Sequence, residues 1–306
     1  MAYALTHPGR SVQKELRRIA RRQIDDAIAT IDGRRPLDET VHDLRKRCKK
    51  VRGVIRLVRP CFADYRSENA AFRVAAQSLS FLRDAEVLVA TYDAIAETHH
   101  GQMRKFAGIR RALVARQKQA VKDKQAIAGC LSEFRVAMAA ARKRAEGWTL
   151  DADGFDAFAD GLSKTYKRAR DGMAAAEARG RAADFHEWRK RVKYHGYHAQ
   201  LFEPIWPREL KAHRKAADEV NDVLGQHHDL AVFESVLRGE AKTFGNADID
   251  AFVALLNERQ DELAGAAFAI GRRLLAEPPK MLVRRWRDWW TIWHKEGLAE
   301  QAALAA

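Results

Sequence analysis

Apolar residues return every three to four positions through most of the chain. At 100° per residue, Val41, Leu44, Cys48, Val51, Ile55 and Val58 share one side of a helix, and Phe185, Trp188, Val192 and Phe202 do the same further on. Val12, Leu16, Ile19 and Ala27 make a third such stripe, and Phe158, Leu162, Tyr166 and Met173 a fourth. Period-2 alternation is scarce, and the segments are rich in Ala, Leu, Arg, Lys, Glu and Gln, all good helix formers. Breaks fall at Gly33–Pro36, Pro60, near Gly101, at "GWTLDADG" (147–154), near Gly180, at Pro204–Pro207, near Gly245 and at Pro278-Pro279. The pattern predicts an all-α protein of about nine helices.

The sequence repeats itself at a spacing of about 145 residues. "VHDLRKRCKKVRGVIRLVRP" (41–60) lies over "FHEWRKRVKYHGYHAQLFEP" (185–204), pairing His42 with His186, Arg45-Lys46-Arg47 with Arg189-Lys190-Arg191, and Lys49 with Lys193. One residue further out of register, "LSFLRDAEVL" (79–88) lies over "LGQHHDLAVF" (224–233), with Asp84 over Asp229. "LRRIARRQIDD" (16–26) is echoed by "LSKTYKRARDG" (162–172). The division expected is therefore two related four-helix halves, 1–148 and 149–277, with an added Trp-rich helix in 278–306.

Charge changes this picture. The chain of 306 residues holds 55 Lys and Arg against 41 Asp and Glu, a formal charge of +14, which points to an anionic partner. From Leu44 to Arg59 there are eight cationic side chains and no acid. Arg45, Lys46, Lys49, Arg52 and Arg56 form a stripe opposite the apolar side, opened by His42. His186, Arg189, Lys190 and Lys193 repeat it, and Arg18 and Arg22, with Lys164 and Arg168 in the echo, add to it. Like-charged neighbours one turn apart cost about 0.2–0.5 kcal/mol each, or about 1–2 kcal/mol for the first stripe, against a net stability of roughly 5–15 kcal/mol. A bound anion would relieve that repulsion. Cations spaced one turn apart fit a linear string of phosphates better than one compact phosphate. Nucleotide loops of the GxxxxGK[ST] or GxGxxG type are absent, as are nucleic-acid-binding motifs, and the stripes carry few aromatics for bases to stack on.

The doubled motif, with "FLRDAEVL" and "VLGQHHDLAVF" after its two copies, resembles the CHAD family, the histidine-containing α-helical domain, over about residues 8–277. The resemblance implies two pseudo-symmetric four-helix bundles around a basic central cavity or pore that binds inorganic polyphosphate without enzymatic activity or a cofactor. It implies phosphate contacts from Arg45, Lys46, Lys49, Arg52 and Arg56 in the first copy, from Arg189, Lys190 and Lys193 in the second, and from Arg18, Arg22, Lys164 and Arg168 beside them. His42 and His186 either donate to phosphate or cap and pack. Gly196, Tyr197 and Gln200 replace Arg52, Gly53 and Arg56, so a lopsided site is expected, tighter in the first half.

Two rivals are set against this reading. "HHDL", His227-His228-Asp229, is similar to the His-Asp pair of metal-dependent phosphohydrolases, with His186 and Asp248 as the further ligands such a site needs. General nucleic-acid binding is the second. Cys48, Cys61 and Cys130 lack CxxC spacing, and neither a signal peptide nor a membrane span is evident. A cytoplasmic protein is expected, associated with polyphosphate granules. His195 and His198, one turn apart, read as core residues rather than a metal pair. In "MLVRRWRDWWTIWHKEG", Leu282, Trp286, Trp289 and Trp293 share a face opposite Arg284, Arg287 and Asp288. That face either packs on the bundle or, through residues 281–293, docks on a granule surface or a protein partner.

Overall fold

The computed structural model describes residues 3–120, 122–244 and 248–305, and their side chains except those of 81–84, 100, 102, 120, 300, 301, 304 and 305. The expected all-α class holds, with eleven α-helices and no strand among the described residues. Helices α1 (Val12–Asp32), α2 (Leu37–Leu57), α3 (Tyr65–Gln77), α4 (Ser80–Thr98), α5 (Ala107–Ala120) and α6 (Lys124–Glu146) precede the "GWTLDADG" segment. After it come α7 (Asp156–Arg179), α8 (Ala182–Phe202), α9 (Pro207–Gly239), α10 (Ile249–Leu274) and α11 (Pro279–Ala305).

The caps explain most boundaries. Ser11 and Asp123 accept from Lys14 N and Ala126 N, satisfying first-turn donors of α1 and α6. Gly180 ends α7 with φ +65°, a left-handed conformation that costs glycine nothing. Two boundaries carry no Gly or Pro signal and raise the first half from four helices to six. One is at Ser78-Leu79, where the Ser78 and Ser80 hydroxyls donate to the carbonyls of Ala75 and Gln77 and draw the chain out of register. The other lies just before Asp123. The second half has no break matching Ser78-Leu79: α9 runs unbroken for 33 residues.

Two apolar cores result, and both cross residue 148. The larger one gathers α1, α2, α3 and α6 with α7, α8, the first half of α9 and α11, around fully buried Trp148, Trp188, Phe158, Phe202 and Trp286. The smaller packs α4 and α5 on the far end of α9 and the start of α10, through Tyr92, Phe106, Phe233 and Phe252. The "GWTLDADG" joint is itself strapped to α1. Arg17 donates to Trp148 O (2.7 Å), Leu150 N to Gln13 (2.9 Å) and Val12 N to Asp153 (2.6 Å).

The aromatic face of α11 is spent on this core. Leu282, Trp286 and Trp290 are buried, with Trp290 edge-on to Phe158 at 5.4 Å and Trp286 beside Phe202 at 5.3 Å. Trp290 takes the inward place assigned from sequence to Trp289 and Trp293, which are only partly covered. Among the described side chains, the large apolar residues left outward on this helix are Met281, Ile292 and Leu298, separated by charged ones.

Candidate anion-binding cleft

The two copies of the basic motif meet where α2 crosses α8. A Cβ on Gly53 would lie 2.8 Å from Tyr3 Oη and 3.2 Å from Tyr197 Cβ, so only glycine lets the helices come this close. His198 is wholly buried at the crossing, its Nε2 3.1 Å from Gly53 O. A carbonyl can only accept, which assigns the proton to Nε2. Burial, with Arg59 and Arg56 nearby, pushes this imidazole down to about 3, so it is neutral at physiological pH. His195 is equally buried, its Nε2 2.6 Å from that of His213 beneath Trp286. Both histidines are core residues, as expected.

On one side of the crossing, arginines from four helices converge. Arg52 Nε (3.1 Å) and Arg56 Nη2 (3.0 Å) both donate to Asn69 Oδ1 on α3. The Arg56 guanidinium lies 4.4 Å above the Tyr194 ring of α8, and that of Arg52 lies 5.8 Å from it. Just past α2, Arg59 reaches Thr165 Oγ1 on α7 at 3.5 Å and sits beside Tyr65, Arg56 and Arg168. Arg73 on α3 neighbours Arg52, while Arg191 on α8 feels both Arg168 and Arg56. Burial first, and then the neighbouring arginines, push Arg52, Arg59 and Arg191 below the ordinary arginine value. Glu187 is the acid in contact, 3.0 Å from Arg191.

What holds the arginines is unusual for this chain. Many of its other arginines rest on carboxylates: Arg144 on Glu68, Arg142 on Asp25, Arg179 and Arg181 together on Asp184. Arg52, Arg56 and Arg59 rest instead on an amide oxygen, an aromatic ring and a hydroxyl, and among the described residues no carboxylate comes within ion-pair reach of them. The buried Nε–H groups of Arg56 and Arg59 have no acceptor among the described residues. A buried charge without a counter-charge is costly, and a bound anion would offset that cost.

The remaining sequence-derived candidates lie elsewhere. Arg18 is tied to the buried Glu15 and to Ala4 O, and Arg22 lies 3.1 Å from Asp26. His42 and Lys46 line a cleft of about 420 Å³ between α2 and α4, shared with Arg35, Asp38, Glu39, Asp43 and Glu86. Arg45 donates to Ala76 O at the carbonyl end of α3 (2.8 Å), and Arg189 packs over Gly225 of α9. His186 faces His228 with ring centres 4.2 Å apart, and burial, then Lys190 and Arg189, lower its proton affinity. Lys190 pairs with Glu187, while Lys49 is half-buried and Lys164 exposed. Lys193 and Lys46 both act on Asp218, the carboxylate that packs over Gly196. Of the fourteen candidates, Arg52, Arg56 and Arg168 share the arginine cluster.

Sequence reasoning missed Arg59, Arg73, Arg191, Asn69 and Tyr194. Arg59 stands one turn after Arg56, and Arg191 is the third member of the repeated Arg-Lys-Arg run, so both carried a signal. Arg47, the partner of Arg191 in the repeat, is neutralised by Asp26 and Asp43, each at 2.7 Å. Nothing in "YRSENAAFRV" marks Asn69 or Arg73.

The "HHDL" residues diverge. His227 is buried on Phe185 at 4.2 Å, and Asp229 lines a cleft of about 550 Å³ between α4, α9 and α10 with Arg259. Asp248 caps α10, accepting from Ala251 N at 3.0 Å. Among the described residues no group of three or more His, Cys, Asp and Glu is placed to hold a metal, and no helix is long and apolar enough to cross a membrane. Asp84 and Arg83, matched to Asp229 and His228 in the repeat, lie outside the described side chains.

Residues 18–238 match the family model described as CHAD domain. No curated protein matches the chain by sequence. Among solved structures, PptA from Streptomyces chartreusis is similar with a TM-score of 0.60 at 15% identity, over 88% of this chain and 100% of that one. The CHAD domain from the plant Ricinus communis is similar with a TM-score of 0.67 at 20% identity, over 90% of this chain and 95% of that one. At these identities the likeness to both is one of fold.

Proposed function

The chain belongs to the CHAD domain family, and from that premise we propose that it binds inorganic polyphosphate in the arginine cleft between α2, α3, α7 and α8, without chemistry of its own. One observation carries the reading: Arg52, Arg56 and Arg59 are oriented by Asn69, Tyr194 and Thr165, which spend none of their charge. Arginine forks suit phosphate oxygens geometrically as well as electrically. The cations come from helices on both sides of residue 148, so an occupied cleft would tie them together. The expected lopsidedness is supported by the repeated motif, whose first copy supplies Arg52, Arg56 and Arg59 and whose second supplies Arg191 and Tyr194, with Arg168 and Thr165 added from α7.

Nucleic-acid binding is the weaker alternative because the Tyr194 ring, which would stack on a base, is buried and already covered by Arg56. Association with polyphosphate granules in the cytoplasm belongs to the same proposal. The test is titration with long-chain polyphosphate across a salt series. With about six phosphates neutralised and a slope of about −0.7 per contact, log affinity should fall by roughly four per decade of salt. Saturating ligand should raise Tm, at 100 times Kd by the equivalent of about 2.7 kcal/mol. Absence of binding at low salt, preference for single-stranded RNA in competition, or release of phosphate from the polymer would each refute the proposal.

A further inference from the structure

We propose that Asn69 and Tyr194 are positioning residues: they hold Arg52 and Arg56 side by side without neutralising them, and so keep the cleft ready for an anion. This rests on the polyphosphate reading of the cleft and assigns roles that no basic residue in it can supply.

Arg52 and Arg56 are four residues apart on α2, where like charges repel. Their mutual repulsion disfavours the side-by-side arrangement unless something holds them. Asn69 Oδ1 receives one donor from each, which uses both of its lone pairs. Tyr194 then closes over Arg56 from α8 at 4.4 Å, where the negative face of the ring attracts the cation without cancelling its charge. The neighbouring position on α3 shows the alternative. Glu68, one residue earlier, grips Arg144 through two bonds of 2.7 and 3.1 Å, a closed ion pair with little left for a ligand. An amide and a carboxylate have nearly the same shape, so the amide at position 69 separates an oriented, charged pair from a satisfied one.

Asn69→Asp tests this with opposite signs in two measurements. The carboxylate would relieve the repulsion between Arg52 and Arg56, so Tm of the ligand-free protein should rise by about 2 °C or more. It would also stand where ligand charge is needed. Long-chain polyphosphate should bind about tenfold more weakly, with the log-log salt slope shallower by about 0.7, the loss of one phosphate contact. Tyr194→Leu should weaken binding about three- to tenfold, and Tyr194→Phe, which keeps the ring, by less than about twofold.

Wild-type affinity in Asn69→Asp would overturn the inference, and so would a fall in both Tm and affinity, which marks Asn69 as merely structural. Equal losses in Tyr194→Phe and Tyr194→Leu would remove the ring from the argument. Arg56→Gln separates this inference from the reading beneath it. If Arg56→Gln binds polyphosphate as tightly as wild type, the cleft is not the site and both fail. If it binds about tenfold or more weakly while Asn69→Asp is unchanged, the site stands and the positioning role alone is wrong.

Discussion

The two sides of the α2–α8 crossing carry similar cationic side chains and settle them in opposite ways. Beyond Gly53 on one side stand Arg52, Arg56, Arg59, Arg168 and Arg191, met among the described residues by one acid, Glu187. On the other stand Lys46, Lys50, Lys193 and Arg214, interleaved with Asp43, Glu203, Asp218 and Asp222. Arg214 lies 3.2 Å from Glu203, and Asp43 is already held by Arg47 and Thr30. Lys50 yields in another way: burial, with Lys46 and Arg47 beside it, pushes its ammonium down to about 8, so it sheds its proton under mildly alkaline conditions. An arginine has no such exit. A positive surface therefore advertises a ligand only where its repulsion cannot be relieved internally, and the arginine side meets that condition.

Removing the frame should break the contrast most thoroughly. A Cβ on Gly161 would lie 1.7 Å from Leu57 O, so Gly161→Ala must push α7 off the end of α2, carrying Arg168 away from Arg59. The expected cost is about 3 kcal/mol or more, visible as a large fall in Tm, with loss of polyphosphate binding. Next in size is the head-to-head comparison of sides. Arg52→Gln with Arg56→Gln should cut affinity by about two orders of magnitude and flatten the salt slope by about 1.4, whereas Lys46→Gln with Lys193→Gln should cost less than about fivefold.

Acid should act on the scaffold. Burial holds His198 at about 3 and His213, beside Arg285, at about 4, both below the unfolded value of about 6.5. The unfolded chain then binds more protons in this window, so stability is complete above about 6.5 and drains as pH falls toward 4. Thermal melts between pH 7 and pH 4 should show the decline, and His198→Gln should shrink it. The smallest effect sharpens the contrast from the opposite side. Burial, with Asp222 adding to it, raises Asp218, and Lys193 and Lys46 work against this. Asp218→Asn should remove a built-in competitor and strengthen polyphosphate binding by about two- to fivefold, with a slope steeper by about 0.7. An unchanged affinity would mean that the lysine side is irrelevant to binding.

The helices of the larger core were legible because their apolar stripes are regular. Leu44, Cys48, Val51 and Ile55 repeat cleanly on α2, and all are buried. The Ser78-Leu79 break was not legible, since it depends on serine hydroxyls capturing carbonyls rather than on Gly or Pro. The inward turn of Trp290 was hidden by the crowding of tryptophans on α11, where a shift of one residue selects a different face. For the cleft, charge periodicity located Arg52 and Arg56 but could not separate them from Arg18 or Arg22. The difference lies in their partners: Glu15 and Asp26 stand three and four residues from the arginines they neutralise, whereas Asn69 comes from another helix. Local pattern lists the cations, and tertiary contact decides which keep their charge.

The long α9 has a mechanical implication. Leu210, Ala217, Val220 and Leu224 lie in the larger core, while Leu230, Phe233 and Leu237 lie in the smaller. A single rod is thus cemented at both ends, and neither core can melt without loosening its grip on the shaft they share. Such a molecule should denature in one cooperative step, and cutting it at residue 148 should yield two insoluble pieces rather than two working modules.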